Sequence, residues 1–154
     1  MVTSAGSGAG DVGSRELQLQ FERFRARFPV RSVLVGPAAW NYLDTGGQGP
    51  VLLILPGGTY RPDNYFQLIE DLARDHRILA HDYPAVHTLP LVVAGLTALL
   101  DYEGVGSATV CGWSYGGYVA QVFAKEAPSR VRNLVLAETG TRHTFGLTTM
   151  RVFA

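Results

Sequence analysis

The chain has one cysteine, Cys111, so no intrachain disulfide can form, and its four histidines lie apart with no cysteine beside them. That excludes a disulfide scaffold and the usual zinc spacings. Excess charge of either sign is also missing, since 13 Lys and Arg balance 13 Asp and Glu. Polyanion binding rests on clustered basic residues, so neither nucleic acid nor an anionic lipid surface is the expected partner. No apolar run approaches the ~20 residues of a membrane span, and the first 13 residues carry no basic residue and no apolar core of a secretory signal. They do carry four glycines, and with nothing to bury they are expected to form a disordered tail at 1–13. These absences together give an expectation of a cytoplasmic chain without cofactor or metal.

What is present is enough for a core. The 154 residues are 47% hydrophobic, and a chain of this length buries about 70% of the surface its unfolded form exposes. The stripe Leu17, Phe21, Phe24, Phe28 predicts an amphipathic helix from Ser14, ended by Pro29. Two β-prone runs follow, Arg31–Val35 and Trp40–Asp44, separated by Gly36-Pro37 as in a hairpin. Val51–Leu55 is apolar without alternation, which suits a strand covered on both faces.

From there helix and strand alternate. Helices are predicted at about Asp63–Arg74, with Tyr65, Phe66, Leu68, Ile69 and Leu72 inward, at Leu89–Tyr102 with Thr88 as N-cap, and at Tyr115–Ala127. Strands are predicted at Arg77–His81, Ala108–Gly112 and Val131–Ala137. This order implies an α/β fold whose mainly parallel sheet carries helices on both faces.

The segment with chemistry in it is Cys111-Gly112-Trp113-Ser114-Tyr115-Gly116-Gly117. It sets Gly-x-Ser-x-Gly between an apolar strand and a helix. A serine on so sharp a turn points away from its own chain, and glycines two residues to either side let neighbouring backbone approach. The helix that follows brings its positive end to any developing oxyanion, with the Tyr115 N–H as one donor. A second donor is expected from Leu55-Pro56-Gly57-Gly58-Thr59, where Gly58 is favoured over Thr59; an ordinary glycine turn is the alternative. The aromatics Trp113, Tyr115 and Tyr118 suit an apolar pocket or core packing equally.

Between about Val30 and Thr139 the chain resembles the N-terminal part of the α/β-hydrolase fold superfamily, and the elbow at Ser114 is its most specific mark. Leu55-Pro56, Asp82-Tyr83-Pro84, Gly117–Gln121 and Val131–Leu136 make it most similar to the maspardin-like branch. The resemblance implies hydrolysis of a small-molecule, ester-like substrate through an acyl-serine intermediate. It also implies the chain order Ser, acid, His. Glu138, at the end of the strand beside the elbow strand, is the candidate acid, a capping or loop role near Thr139 being the other reading. Glu126 reads as solvated surface. His143 is not at the family's position for the base, and His81 and His87 flank Asp82-Tyr83-Pro84 with a solvated, capping or pocket-lining role. The residues from Phe145 resemble the opening of a lid. The expectation is therefore a partial hydrolase core at 14–154, truncated after the strand that follows the nucleophile helix, with its base and lid elsewhere, and its acid elsewhere too unless Glu138 supplies it. A non-catalytic maspardin-like scaffold that binds a protein partner is the alternative.

Overall fold

The computed structural model describes residues 8–58, 61–85 and 88–141. Thr59, His87, His143 and the lid-like residues from Phe145 onward therefore lie outside the described residues. Helix α1 (Gly8–Arg27) leads into a hairpin of β1 (Arg31–Val35) and β2 (Ala38–Asp44), then β3 (Val51–Leu55). A 3₁₀ turn, Pro62–Tyr65, opens α2 (Phe66–Leu72), and β4 (Arg77–His81), α3 (Leu89–Tyr102), β5 (Ala108–Trp113) and α4 (Tyr115–Glu126) follow. A second 3₁₀ turn, Pro128–Arg130, leads to β6 (Val131–Ala137).

The six strands form one sheet in the order β1-β2-β4-β3-β5-β6. Strands β4, β3, β5 and β6 are parallel, while β1 and β2 join antiparallel at one side. The unbroken apolar run of β3 is explained by this order: it lies in the middle, and its side chains alternate between two cores. Leu53 and Leu55 pack with Trp40, Leu79, Leu96, Val110 and Phe123 on the α3–α4 face. Leu52 and Ile54 pack with Phe24, Phe28, Ile69 and Ile78 on the α1–α2 face.

Local departures from the sequence pattern have physical causes. Helix α1 begins at Gly8, extending into the segment expected to be a tail. Its Phe24 and the Phe28 just beyond it are buried whereas Leu17 is 47% exposed, so the anchored turns lie at its C-terminal end. Adding turns to an existing helix costs far less than nucleating one. Helix α2 is shorter than the stripe suggests because Pro62 starts a 3₁₀ turn, and Leu68 faces outward at 38% exposure. Helix α3 spans the predicted residues, but Thr88 caps it through extended backbone alone, with no side-chain hydrogen bond.

A part-buried ionic cluster ties the hairpin to β4 at the end of the parallel strands remote from Ser114. The Arg77 guanidinium donates to both Asp44 oxygens, at 3.1 and 3.0 Å. Arg31 and the Gly46 N–H also donate to Asp44, at 3.0 and 2.8 Å. Burial opposes ionisation of Asp44, but Arg77, the Gly46 amide and Arg31 outweigh it and hold the carboxyl below its usual range. Glu103 closes the cluster by accepting from Arg77 and from the Tyr42 hydroxyl. Burial and that carboxylate push the Tyr42 phenol up to about 12.

Candidate active site

Ser114 stands at the junction of β5 and α4, exposed at the C-terminal edge of the parallel strands, where ligands bind in open α/β sheets. Its backbone has φ 50° and ψ −115°. A non-glycine residue there carries strain that the surrounding structure must hold. Three contacts do so. The Ser114 N–H donates to the Ala137 carbonyl at 3.1 Å, the Tyr118 N–H to the Ser114 carbonyl at 3.2 Å, and the Thr139 hydroxyl to that same carbonyl at 2.7 Å.

The glycines of the motif are required by close approach. A Cβ on Gly112 would lie 2.4 Å from the Gly116 carbonyl oxygen, so the strand and the first helical turn can cross only without one. On Gly116 it would lie 2.1 Å from the Leu55 carbonyl oxygen, and on Gly117 2.5 Å from the Thr139 Cβ. The helix start is thereby pressed against both the end of β3 and the end of β6.

The loop after β3 meets the nucleophile directly. A Cβ on Gly57 would sit 3.4 Å from the Ser114 Cβ, and Gly58 follows it as an exposed residue. Gly58 is thus in the segment that faces Ser114 and the first residue of α4, Tyr115. Glu138 follows the last residue of β6, whose Ala137 is in register with Trp113. It is exposed, and its φ of 49° makes it, with Ser114, one of two non-glycine residues at positive φ among the described residues. Ser114 and Glu138 therefore both leave the sheet by unusual turns, on neighbouring strands.

The histidines fall differently. His81 is completely buried, neither solvated nor lining an open pocket, because residue 81 projects to the same face of β4 as Leu79. Its Nδ1 lies 2.7 Å from the Asp82 carbonyl oxygen, and its Nε2 has no hydrogen-bond partner. Burial pushes its pKa down to about 4, only partly offset by that carbonyl. His76 precedes β4, at the opposite end of the strand from the elbow. Glu126 pairs with Lys125 at 3.4 Å on the surface, as the sequence reading expects.

The three aromatics around the elbow do not share one pocket. Trp113 packs on Tyr65 at 5.2 Å between centroids, Tyr115 meets Tyr83 edge-on at 5.2 Å, and Tyr118 lines a groove of about 640 Å³ with Leu89, Val93 and Val122. The clamp from Thr139 and the packing of Tyr65 had no signal in the sequence motif. Among the described residues no cluster of His, Cys, Asp and Glu could hold a metal ion, and no helix is long and apolar enough to cross a membrane.

A strand-turn-helix that presents a strained serine above a mainly parallel sheet defines the hydrolase class of α/β proteins. The comparison with known families agrees: residues 50–153 match the alpha/beta hydrolase fold, and the chain belongs to that family. It is 32% identical over 103 residues to the pimeloyl-[acyl-carrier protein] methyl ester esterase of Nitrosomonas europaea, covering 62% of this chain and 39% of the relative. It is 27% identical over 133 residues to the maspardin of Rattus norvegicus, covering 81% and 51%. A solved putative lipase from Acinetobacter baumannii superposes with a TM-score of 0.71 at 23% identity, over 80% of this chain and 46% of the other. The chain thus spans about half or less of the length of these proteins.

Proposed function

We propose that this chain carries the nucleophile and oxyanion site of an esterase-like serine hydrolase. The observation that carries the reading is Ser114, exposed at φ 50° between β5 and α4 with the Gly57-Gly58 loop against it. In the reaction, the Ser114 Oγ attacks the ester carbonyl carbon and loses its proton to a base, and the carbonyl oxygen becomes an oxyanion. Collapse expels the alcohol, which takes a proton, and leaves an acyl-serine. Water then attacks that ester, releasing the acid and restoring the serine. The N–H groups of Tyr115 and Gly58 are the donors to the oxyanion, each a group of the kind whose loss costs about 10²–10³ in rate.

Glu138 is the candidate carboxylate for orienting the base, on the ground that it leaves β6 beside the elbow. Neither described histidine suits the role of base: His81 is sealed in the core and His76 lies at the far end of β4. No cofactor is required by this chemistry. The free, buried thiol of Cys111 fits a reducing compartment such as the cytoplasm.

Strain marks Ser114 as functional, since holding a residue in a sparsely populated backbone region costs of order 1–3 kcal/mol and such residues cluster at active sites and ligand clamps. Its exposure at the sheet edge beside the Gly57-Gly58 loop favours catalysis over a scaffold role. The test is labelling of the full-length protein by a fluorophosphonate probe, with Ser114→Ala as control. Labelling that vanishes in the variant supports the reading, and equal labelling of both proteins rejects it.

A further inference from the structure

We propose that the Tyr65 hydroxyl is a third donor to the oxyanion formed at Ser114, acting beside the Tyr115 and Gly58 amides. The inference rests on the serine-hydrolase reading above and adds a side-chain group to it.

Tyr65 is held from two directions. Its backbone closes the 3₁₀ turn that Pro62 begins and serves as N-cap of α2, with φ −100° and ψ 22°. Its ring lies against Trp113, the residue before the nucleophile, at 5.2 Å and a 30° interplanar angle. A phenol fixed at both ends holds its oxygen in one place without further loss of rotamer freedom, which is the preorganisation that oxyanion stabilisation needs.

The oxygen is directed to the site. Gly57, in the loop after β3, donates its N–H to the Tyr65 Oη at 3.4 Å. A Cβ placed on Gly57 would lie 3.4 Å from the Ser114 Cβ and 3.7 Å from the Tyr65 Oη. Its nearest neighbour would be the Trp113 carbonyl oxygen at 3.3 Å, so the nucleophile and the phenol both border the gap over the same bare face of Gly57. Having accepted from Gly57, the hydroxyl still has its own proton to give. Among the described residues none takes it. An oxyanion growing over Ser114 is an acceptor of the right kind in that gap. The proton stays on the phenol throughout: a hydrogen bond forms as the carbonyl π electrons move to oxygen and weakens when the carbonyl reforms.

The role also accounts for an aromatic residue that the helical stripe explains poorly. Tyr65 precedes α2, and Ile69 is the fully buried residue of that helix. A phenylalanine at 65 would serve packing on Trp113 equally well.

The experiment measures fluorophosphonate labelling of Ser114 in the full-length protein at several probe concentrations, for wild type, Tyr65→Phe and Ser114→Ala. Phenylalanine keeps the ring and removes only the O–H. The expected result is a fall of about a hundredfold in the maximal labelling rate of Tyr65→Phe, the lower end of the range for losing an oxyanion donor. The half-saturating probe concentration and the thermal unfolding midpoint are expected to stay at their wild-type values. A wild-type maximal rate in Tyr65→Phe, with labelling still lost in Ser114→Ala, overturns the assignment of Tyr65 and leaves the serine-hydrolase reading in place. A fall that tracks a lowered unfolding midpoint overturns it too, since that is a packing effect. Absence of Ser114-dependent labelling in the wild type overturns the parent reading and Tyr65 with it.

Discussion

Gly116 lies so near Leu55 that a Cβ on it would come within 2.1 Å of the Leu55 carbonyl oxygen and 2.5 Å of the Pro56 carbonyl oxygen. The end of β3 and the first turn of α4 are thus in backbone contact, which brings the loop at Gly58 and the amide of Tyr115 to one place. Substituting Gly116→Ala must push the two apart. The contacts are to backbone, which cannot rotate away, so a destabilisation of about 1–3 kcal/mol is expected. The labelling rate of Ser114 is expected to fall at least tenfold in the molecules that remain folded. Chemical denaturation and probe kinetics on the same sample measure the two effects separately.

Thr139 holds the elbow from the other side. Its hydroxyl donates to the Ser114 carbonyl at 2.7 Å, and Gly117 is bare where the Thr139 side chain packs. Thr139→Val keeps the shape and removes that hydrogen bond, at an expected cost of about 0.5–1.5 kcal/mol in stability. Because the lost bond is to the strained residue itself, reactivity at Ser114 should fall by more than Thr139→Ser reduces it. Urea unfolding and labelling of both variants check this.

His81 makes stability depend on pH in a defined window. Its folded pKa is about 4, below the 6.5 of an unperturbed imidazole, so the unfolded chain binds the extra proton between those values. Stability is therefore full above pH 6.5, is lost as pH falls toward 4, and loses nothing more from this group below that. At about 1.4 kcal/mol per unit the loss is roughly 3 kcal/mol. Asp82 works against it: burial raises its carboxyl above the usual range, so its protonation in the folded state returns some stability on acidification. Denaturation midpoints at pH 7 and pH 4.5 should differ clearly in wild type and much less in His81→Phe.

Asp44 carries the ionic cluster at the far end of the sheet. Removing it by Asp44→Ala leaves Arg77, which is largely buried, without its bidentate partner. Breaking a buried pair from one side costs about 3–5 kcal/mol. The expected outcome is a lower unfolding midpoint with Ser114 labelling unchanged in the folded fraction, since the cluster lies away from the elbow.

The parts of the fold that could be read in the sequence are those with a local signal. The five apolar residues of β3, the stripe of α3 from Leu89 to Leu100 and the glycines around Ser114 each announce their own conformation, because period and turn chemistry act over a few residues. His81 could not be placed in this way. Its burial follows from the pairing of β4 between β2 and β3, which sends residue 81 to the Leu79 side beneath Trp40 and Tyr83. Leu17 and Leu68 fail for the converse reason: both sit on an apolar stripe, but the body of the protein does not extend beneath them. The contacts of Tyr65 with Gly57 and of Thr139 with Ser114 join separate elements at the sheet edge. Only tertiary structure brings those residues together.

Hydrolysis through Ser114 is covalent chemistry at one oxygen, and intact-protein mass spectrometry followed by peptide mapping reads it directly. Full-length protein mixed with a p-nitrophenyl ester and quenched in acid should gain the mass of one acyl group, mapped to the peptide that contains Ser114 and absent in Ser114→Ala. An acyl group mapped to another residue, or ester turnover that persists at the wild-type rate in Ser114→Ala, would contradict it.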